Sequence, residues 1–233
     1  SGSFMVQYTR KSSRFASAAP ERCKMSRIRE NIMGKINHVE KLTDNRFVNL
    51  YHVDATSVHD TPVSYYVASR ARSVGELKLK TGKNTPDGVI IYSIYGEQRD
   101  KVVLIRQYRY TLGGYIYEFP AGLVEPGEDF RQGAVREMYE ETGLKLETLK
   151  VDEAYEKPYF TTVGMTDESC ATVYGYASGT VSRAAQVDSE EIEVVFADRD
   201  EVRRILKEER VAIMCAYMLM HFLNDEEPFA FLK

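Results

Sequence analysis

The sequence predicts an α/β or α+β sandwich. Runs rich in Val, Ile, Tyr and Phe recur from residue 46 to residue 196, each bounded by turn residues. Two or three segments of helical spacing alternate with them, and no internal repeat or low-complexity tract breaks the pattern.

The elements follow in order. Residues 5–35, with KSSR and ERCKMSRIRE, are polar and basic and read as a loose arm or a short helix. RFVNLYHVDA and TPVSYYVASR predict two or three antiparallel strands between about 36 and 70, separated by polar turn residues and Pro62. TGKNTPDG at 81–88 is a dense turn cluster. It divides residues 1–86, an arm with a β extension, from a core domain at 87–233. GVIIYSIYG and KVVLIRQYRY, joined by the polar GEQRD, predict a hairpin deep in a sheet. YIYEFPAGLV reads as a short strand entering a loop. A helix spans about 128 to 142, and Gly143 stands where a helix C-terminus favours glycine. Further strands are expected at 149–156, 170–177 and 191–196. A final helical pair covers 198–207 and 210–224, where Val202, Ile205, Leu206, Val211, Met214, Met218 and Phe222 recur at helical spacing.

Composition narrows the function classes. Hydrophobic residues make up 43% and charged residues 28% of 233, the balance of a soluble globule. A net charge of −4 gives no basic footprint, so nucleic acid is not an expected partner. Cys23, Cys170 and Cys215 are odd in number and lack CxxC spacing, which argues against a disulfide framework or zinc site and for a reducing cytoplasm. No apolar run reaches 18 residues, and the first residues lack a signal peptide's apolar core, so no membrane role is expected. Ser1–Phe4, ahead of Met5, read as a cloning remnant. His38, His52, His59 and His221 form no triad or metal spacing.

The chemistry concentrates in residues 122–144, GLVEPGEDFRQGAVREMYEETGL. On a helix Glu137 and Glu141 share a face and Glu140 flanks it. Like charges so placed repel, by a few tenths of a kcal/mol per pair, and a bound divalent cation reverses the sign. Carboxylate oxygens suit Mg²⁺ or Mn²⁺, which take phosphate oxygens as further ligands.

This stretch resembles the Nudix box: a glycine, five residues, a glutamate, seven residues, then REUxEExGU with U aliphatic. Gly122, Glu128, Arg136, Glu137, Met138, Glu140, Glu141, Gly143 and Leu144 fill every fixed position. The resemblance implies the Nudix fold, a mixed β-sheet sandwich between helices. It implies Glu137, Glu140, Glu141 and the Ala121 carbonyl as metal ligands. Glu128 would support the entry to the helix or bind a further metal. Arg136 would orient the glutamates by an ion pair, with Glu140 one turn on.

IRQYRY (105–110) and YEFPAGLVEPGE (117–128) resemble the ADP-ribose and sugar-nucleotide pyrophosphatase branch. That likeness implies Arg109 on the substrate diphosphate, where a guanidinium can pair two phosphate oxygens. It implies Glu118 near the ribose or the metals, with Pro120 stiffening the turn. TTVGMTDES (161–169) resembles a loop of the branch and makes Glu168 the matching acid, although Thr162-Val163 replaces Ser-Pro. VDSEEIEVVF (187–196) resembles the acidic loop that supplies a catalytic base, with Glu190 first and Asp188 second. Glu191 or Glu193 should point elsewhere if strand alternation has begun.

Sixteen tyrosines and no tryptophan leave Tyr or Phe to stack on a purine. Tyr65 and Tyr66, with Tyr51 and Phe47, are the candidates. In the branch such strands cross to a second subunit, which implies a homodimer, swapped through the N-terminal extension. The implied activity is Mg²⁺-dependent hydrolysis of ADP-ribose to AMP and ribose 5-phosphate. A GDP-mannose or UDP-glucose pyrophosphatase is the alternative within the class. A non-catalytic nucleotide-sensing module is the alternative outside it, but such modules damage the box or add a DNA-binding domain. This box is whole, and 145–233 show no basic helix-turn-helix.

Overall fold

The computed structural model describes residues 33–184, 186 and 191–233. The expected arm lies almost wholly outside these residues, and Asp188 and Glu190 lie wholly outside them. The described chain forms two compact units. One holds residues up to Glu40 with His52–Tyr66, the other Lys41–Tyr51 with Val67–Lys233. Strands β1 (Lys35–Lys41), β2 (Asn49–Thr56) and β3 (Pro62–Ser69) make an antiparallel sheet in the order β1-β2-β3. Tyr51, a stacking candidate by sequence, is fully buried, and its hydroxyl donates to the Ala71 carbonyl at 2.7 Å. It is a core residue.

The larger unit is built on an eight-stranded mixed sheet. Its strands are β4 (Gly88–Tyr95), β5 (Lys101–Arg109), β6 (Gly114–Glu118), β7 (Ala121–Leu123), β8 (Lys145–Thr148), β9 (Tyr159–Phe160), β10 (Ser169–Ser178) and β11 (Ile192–Ala197). The central path runs β11-β5-β4-β10-β8, with β6 on β5, β7 on β4 and β9 on β10. The near-continuous apolar runs of β4 and β5 are explained by burial of both faces. Alternation sends Val89, Ile91 and Val103 to one face, beside Ala134 and Met138. It sends Tyr92, Ile94, Val102 and Leu104 to the other, beside Val202, Ile205, Leu219 and Phe222. The sheet is thus layered between helices, as the sequence predicts.

The helices are α1 (Lys78–Thr81), α2 (Phe130–Thr142), α3 (Glu153–Glu156), α4 (Arg199–Glu208) and α5 (Ile213–Asn224). Asp129 caps α2 by accepting from the Arg131 N–H at 2.9 Å. Gly143 ends it in the left-handed region at φ 77°, and its N–H donates to the Tyr139 carbonyl. An added Cβ at Gly143 would meet the Ser182 nitrogen at 2.6 Å, so both backbone and space require glycine there. Lys78 pairs with Asp87 at 2.6 Å and donates to the Ser169 hydroxyl, tying together the starts of the parallel strands β4 and β10.

Three local expectations need correction. The strand expected at 149–156 ends at Thr148. Asp152 instead caps α3 by accepting from the Ala154 N–H, which lets Glu156 turn inward to Arg131. The last helix begins at Ile213, not near 210, because residues 210–212 extend the sheet. The Tyr117 N–H donates to the Arg210 carbonyl at 2.8 Å and the Ala212 N–H to the Tyr117 carbonyl at 3.1 Å. The β4–β5 hairpin pairs only at Ile94↔Val102 and Tyr95↔Lys101. The strands then part, and β7 pairs with the first half of β4, with Val89 opposite Gly122 and Ile90 opposite Ala121.

Met138 is the fully buried anchor of α2 under this sheet. Met138→Ala is expected to lower unfolding free energy by about 2–4 kcal/mol, read from urea denaturation.

Candidate active site

The opening between β4 and β5 places the Ala121–Gly122 backbone beside the acidic face of α2. Arg136 organises that face. Its Nε and Nη2 donate to the two Glu128 oxygens, each at 3.0 Å, and Nη2 also to the Leu123 carbonyl at 3.0 Å. Nη1 donates to Glu137 at 2.8 Å and to Glu140 at 2.9 Å. The expected pair with Glu140 is present, as one contact of a larger hub. These carboxylates hold the guanidinium firmly protonated. In return Arg136, and then the Glu125 N–H, hold the Glu128 carboxyl below its ordinary value of 4.5.

Glu141 is buried, and one of its oxygens accepts from the Ala121 N–H at 3.0 Å. That bond joins α2 to the turn whose carbonyl the sequence reading made a metal ligand. Gly122 completes the ridge. A Cβ there would lie 1.9 Å from the carboxyl carbon of Glu137 and 2.2 Å from each oxygen. Only glycine leaves that carboxylate its place against the backbone.

The ridge forms part of a cleft of about 560 Å³, also lined by Arg70, Arg109, Glu118 and Glu168. Arg109 Nε donates to Glu118 at 2.7 Å. The β5–β6 register sets Arg109 opposite Gly114 and Glu118 opposite Ile105, so the two predicted residues meet by side-chain reach along the strands. Glu168 accepts from Arg70 at 3.1 Å and from the Thr161 hydroxyl at 3.0 Å. The sequence reading missed Arg70. It stands at the end of β3, far in sequence from the box, and no spacing rule links the two. Cys170 also lines the cleft, and burial pushes its thiol up to about 12, so it is a neutral packing group at neutral pH.

Tyr65 and Tyr66 are exposed on β3, with Tyr66 tilted against His52 at 5.0 Å between ring centres. Glu191 accepts from the Tyr115 hydroxyl at 2.7 Å, and Glu193 pairs with Arg106 at 3.4 Å. Glu191 precedes β11 and Glu193 lies on it, and both are engaged with β5–β6 side chains.

The donor set along the ridge is carboxylate and carbonyl oxygen, which suits a hard divalent cation. Among the described residues no group of three or more His, Cys, Asp or Glu side chains stands ready around one point. Arg136 draws Glu128, Glu137 and Glu140 to itself. A cation at this ridge would have to compete with the guanidinium for the Glu137 and Glu140 oxygens.

The family model described as NUDIX domain matches residues 84–216. This chain belongs to the Nudix family. The match covers both walls of the Nudix site except Arg70. Among relatives, the chain is similar to a methanol dehydrogenase activator of Bacillus methanolicus, with 30% identity over 66% of this chain and 84% of the other. It is similar to an ADP-ribose pyrophosphatase of Bacillus subtilis, with 25% identity over 59% and 76% of the two chains. Among solved structures, an ADP compounds hydrolase superposes with a TM-score of 0.54 at 18% identity, over 76% of this chain and 84% of that one. That last likeness supports the Nudix fold alone.

The pH dependence of Nudix-box stability follows from Glu128. Its carboxyl is depressed in the folded state, so its contribution is present above 4.5 and is lost as pH falls through the folded value. Glu128→Gln is expected to melt below wild type at pH 7. The gap in melting temperature should close as pH is lowered past 4.5 and further.

Proposed function

We propose that this Nudix hydrolase cleaves the diphosphate of ADP-ribose, giving AMP and ribose 5-phosphate, with Mg²⁺ or Mn²⁺ as cofactor. One observation carries the reading: a single cleft is lined by two arginines and by the Glu137–Glu140–Glu141 ridge with its glycine-backed turn. A diphosphate is the group that needs both, cationic donors for its oxygens and carboxylates to bridge to it through a cation. Glu137, Glu140, Glu141 and the Ala121 carbonyl would hold the ion, which when bound supplies charge neutralisation and an acidified water.

The chain's own residues do the rest. Arg109 presents its guanidinium to the diphosphate, and Glu118 fixes its orientation through the Nε bond. Arg70, held by Glu168, supplies a second fork. Arg136 keeps the carboxylates of α2 from splaying apart. Glu190, or Asp188 in its place, is the assigned base, taking a proton from the attacking water as its oxygen bonds to one phosphorus and the bridging P–O bond breaks, the other phosphate leaving as the second monophosphate. Ordering these groups before reaction supplies much of the rate gain.

The chain is further read as a cytoplasmic homodimer. The β1–β3 strands expose Ile36, Leu50, Val63, Tyr65 and Tyr66. So many large apolar side chains on three strands support a self-association surface. Tyr65 and Tyr66 would then reach the purine of a partner subunit's substrate.

A panel of ADP-ribose, GDP-mannose and UDP-glucose, with phosphorus NMR of the products, tests the substrate. ADP-ribose should give the highest kcat/KM, and faster cleavage of either other compound would overturn the assignment. Glu141→Gln should lower kcat about a thousandfold by disturbing both the ridge and the Ala121 turn. Arg109→Ala should act on KM, raising it about 10- to 100-fold, the worth of a charge-assisted bond.

A further inference from the structure

Gln107 is only 6% exposed, yet it lines the cleft. Its Oε1 is buried with no hydrogen-bond partner among the described residues. Nearly all buried polar groups are satisfied, so such an orphan in a cleft wall is a mark of something the cleft receives. Gln107 alternates with Arg109 on the same face of β5, two residues and roughly 7 Å apart. It therefore stands about one sugar ring away from the guanidinium assigned to the diphosphate.

A second feature opens on the same cleft. Ala212, Met214 and Cys215 line it at the start of α5. The N-cap of this 12-residue helix is Ala212, with no side-chain cap. Its first-turn N–H groups have no intrahelical acceptor. The extension of the sheet by residues 210–212 sets that turn beside β6, whose Ile116 lies opposite Gln107, and both the turn and Gln107 line the same cleft. Phe119, Ile90 and Met214 supply apolar surface around the polar pair.

The chemistry selects the ligand group. Oε1 requires a donor, while the helix N–H groups require an acceptor. A phosphate or carboxylate answers only the helix. A hydroxyl answers both, and it also suits either orientation of the amide, since a half-turn about the last side-chain torsion exchanges oxygen and nitrogen. Sugar rings add carbon faces that pack on apolar walls. We infer that Gln107 and the first turn of α5 form a hydroxyl-recognising subsite for a sugar ring bonded to the diphosphate. This subsite rests on the pyrophosphatase reading above and gives it a specificity residue.

The test is calorimetric binding in EDTA, so that no turnover intervenes, for wild type and Gln107→Met. Three probes are used: ADP-ribose, the pentyl ester of ADP, which lacks the distal hydroxyls, and ADP-ribose built on 2′,3′-dideoxyadenosine. Gln107→Met should weaken ADP-ribose about tenfold, the worth of one desolvated hydrogen bond. It should leave unchanged the probe that lacks the recognised hydroxyls, and that probe names the ring. Because the variant removes an unpaired buried polar group, its melting temperature should equal or exceed that of wild type. Equal weakening of all three probes, weakening of none, or a marked loss of thermal stability would overturn the subsite. The expected binding pattern in a chain that cleaves none of the probes after metal is added would sink the pyrophosphatase reading and leave the subsite standing.

Discussion

The Arg136 guanidinium is the contact on which the site depends. It meets three carboxylates and a backbone carbonyl at 2.8–3.0 Å, using Nε and both terminal nitrogens. Without it, Glu128, Glu137 and Glu140 would face one another across a partly dehydrated ridge, where repulsion exceeds its value in water. A lysine could not replace it, because one ammonium cannot span acceptors spread over a helix turn and the loop before it. A cation bound at this ridge would compete with the same guanidinium for the Glu137 and Glu140 oxygens.

The sheet supplies the frame. If β4 and β5 remained paired along their length, the PAG turn would have no place between them. Their separation after two residue pairs admits β7 and lays Ala121 and Gly122 against α2. Two small-residue demands follow. Gly122 leaves space for the Glu137 carboxylate, and Gly143 lets α2 stop against Ser182. The Ala121–Glu141 bond then makes helix and turn move as one piece.

The cleft's other charges are arranged differently. Arg109–Glu118 and Arg70–Glu168 are partly exposed pairs, each of little worth to stability. Such pairs orient their arginines at small cost and release them to a stronger anion. In the Arg131–Glu156 pair the arginine is also partly exposed, but the carboxylate is only 2% exposed and depends on its partner, so this pair belongs to the fold.

The box residues, the helix that carries them, its glycine stop and the layered α/β class were legible in the sequence, because each depends on spacing along one element. Helical geometry converts the positions of Glu137, Glu140 and Glu141 into a shared face whatever surrounds them. Only the tertiary structure decided what joins that face. Arg70 comes from the bend just after β3, outside the box, Gln107 becomes significant only because its oxygen is buried unpaired, and the start of α5 reaches the cleft because residues 210–212 pair with β6. Tyr51 reads like Tyr65 in sequence but is core, since burial depends on what packs over a strand and not on the strand's own residues. Long-range pairing leaves no fixed interval along the chain, so it cannot be read from one.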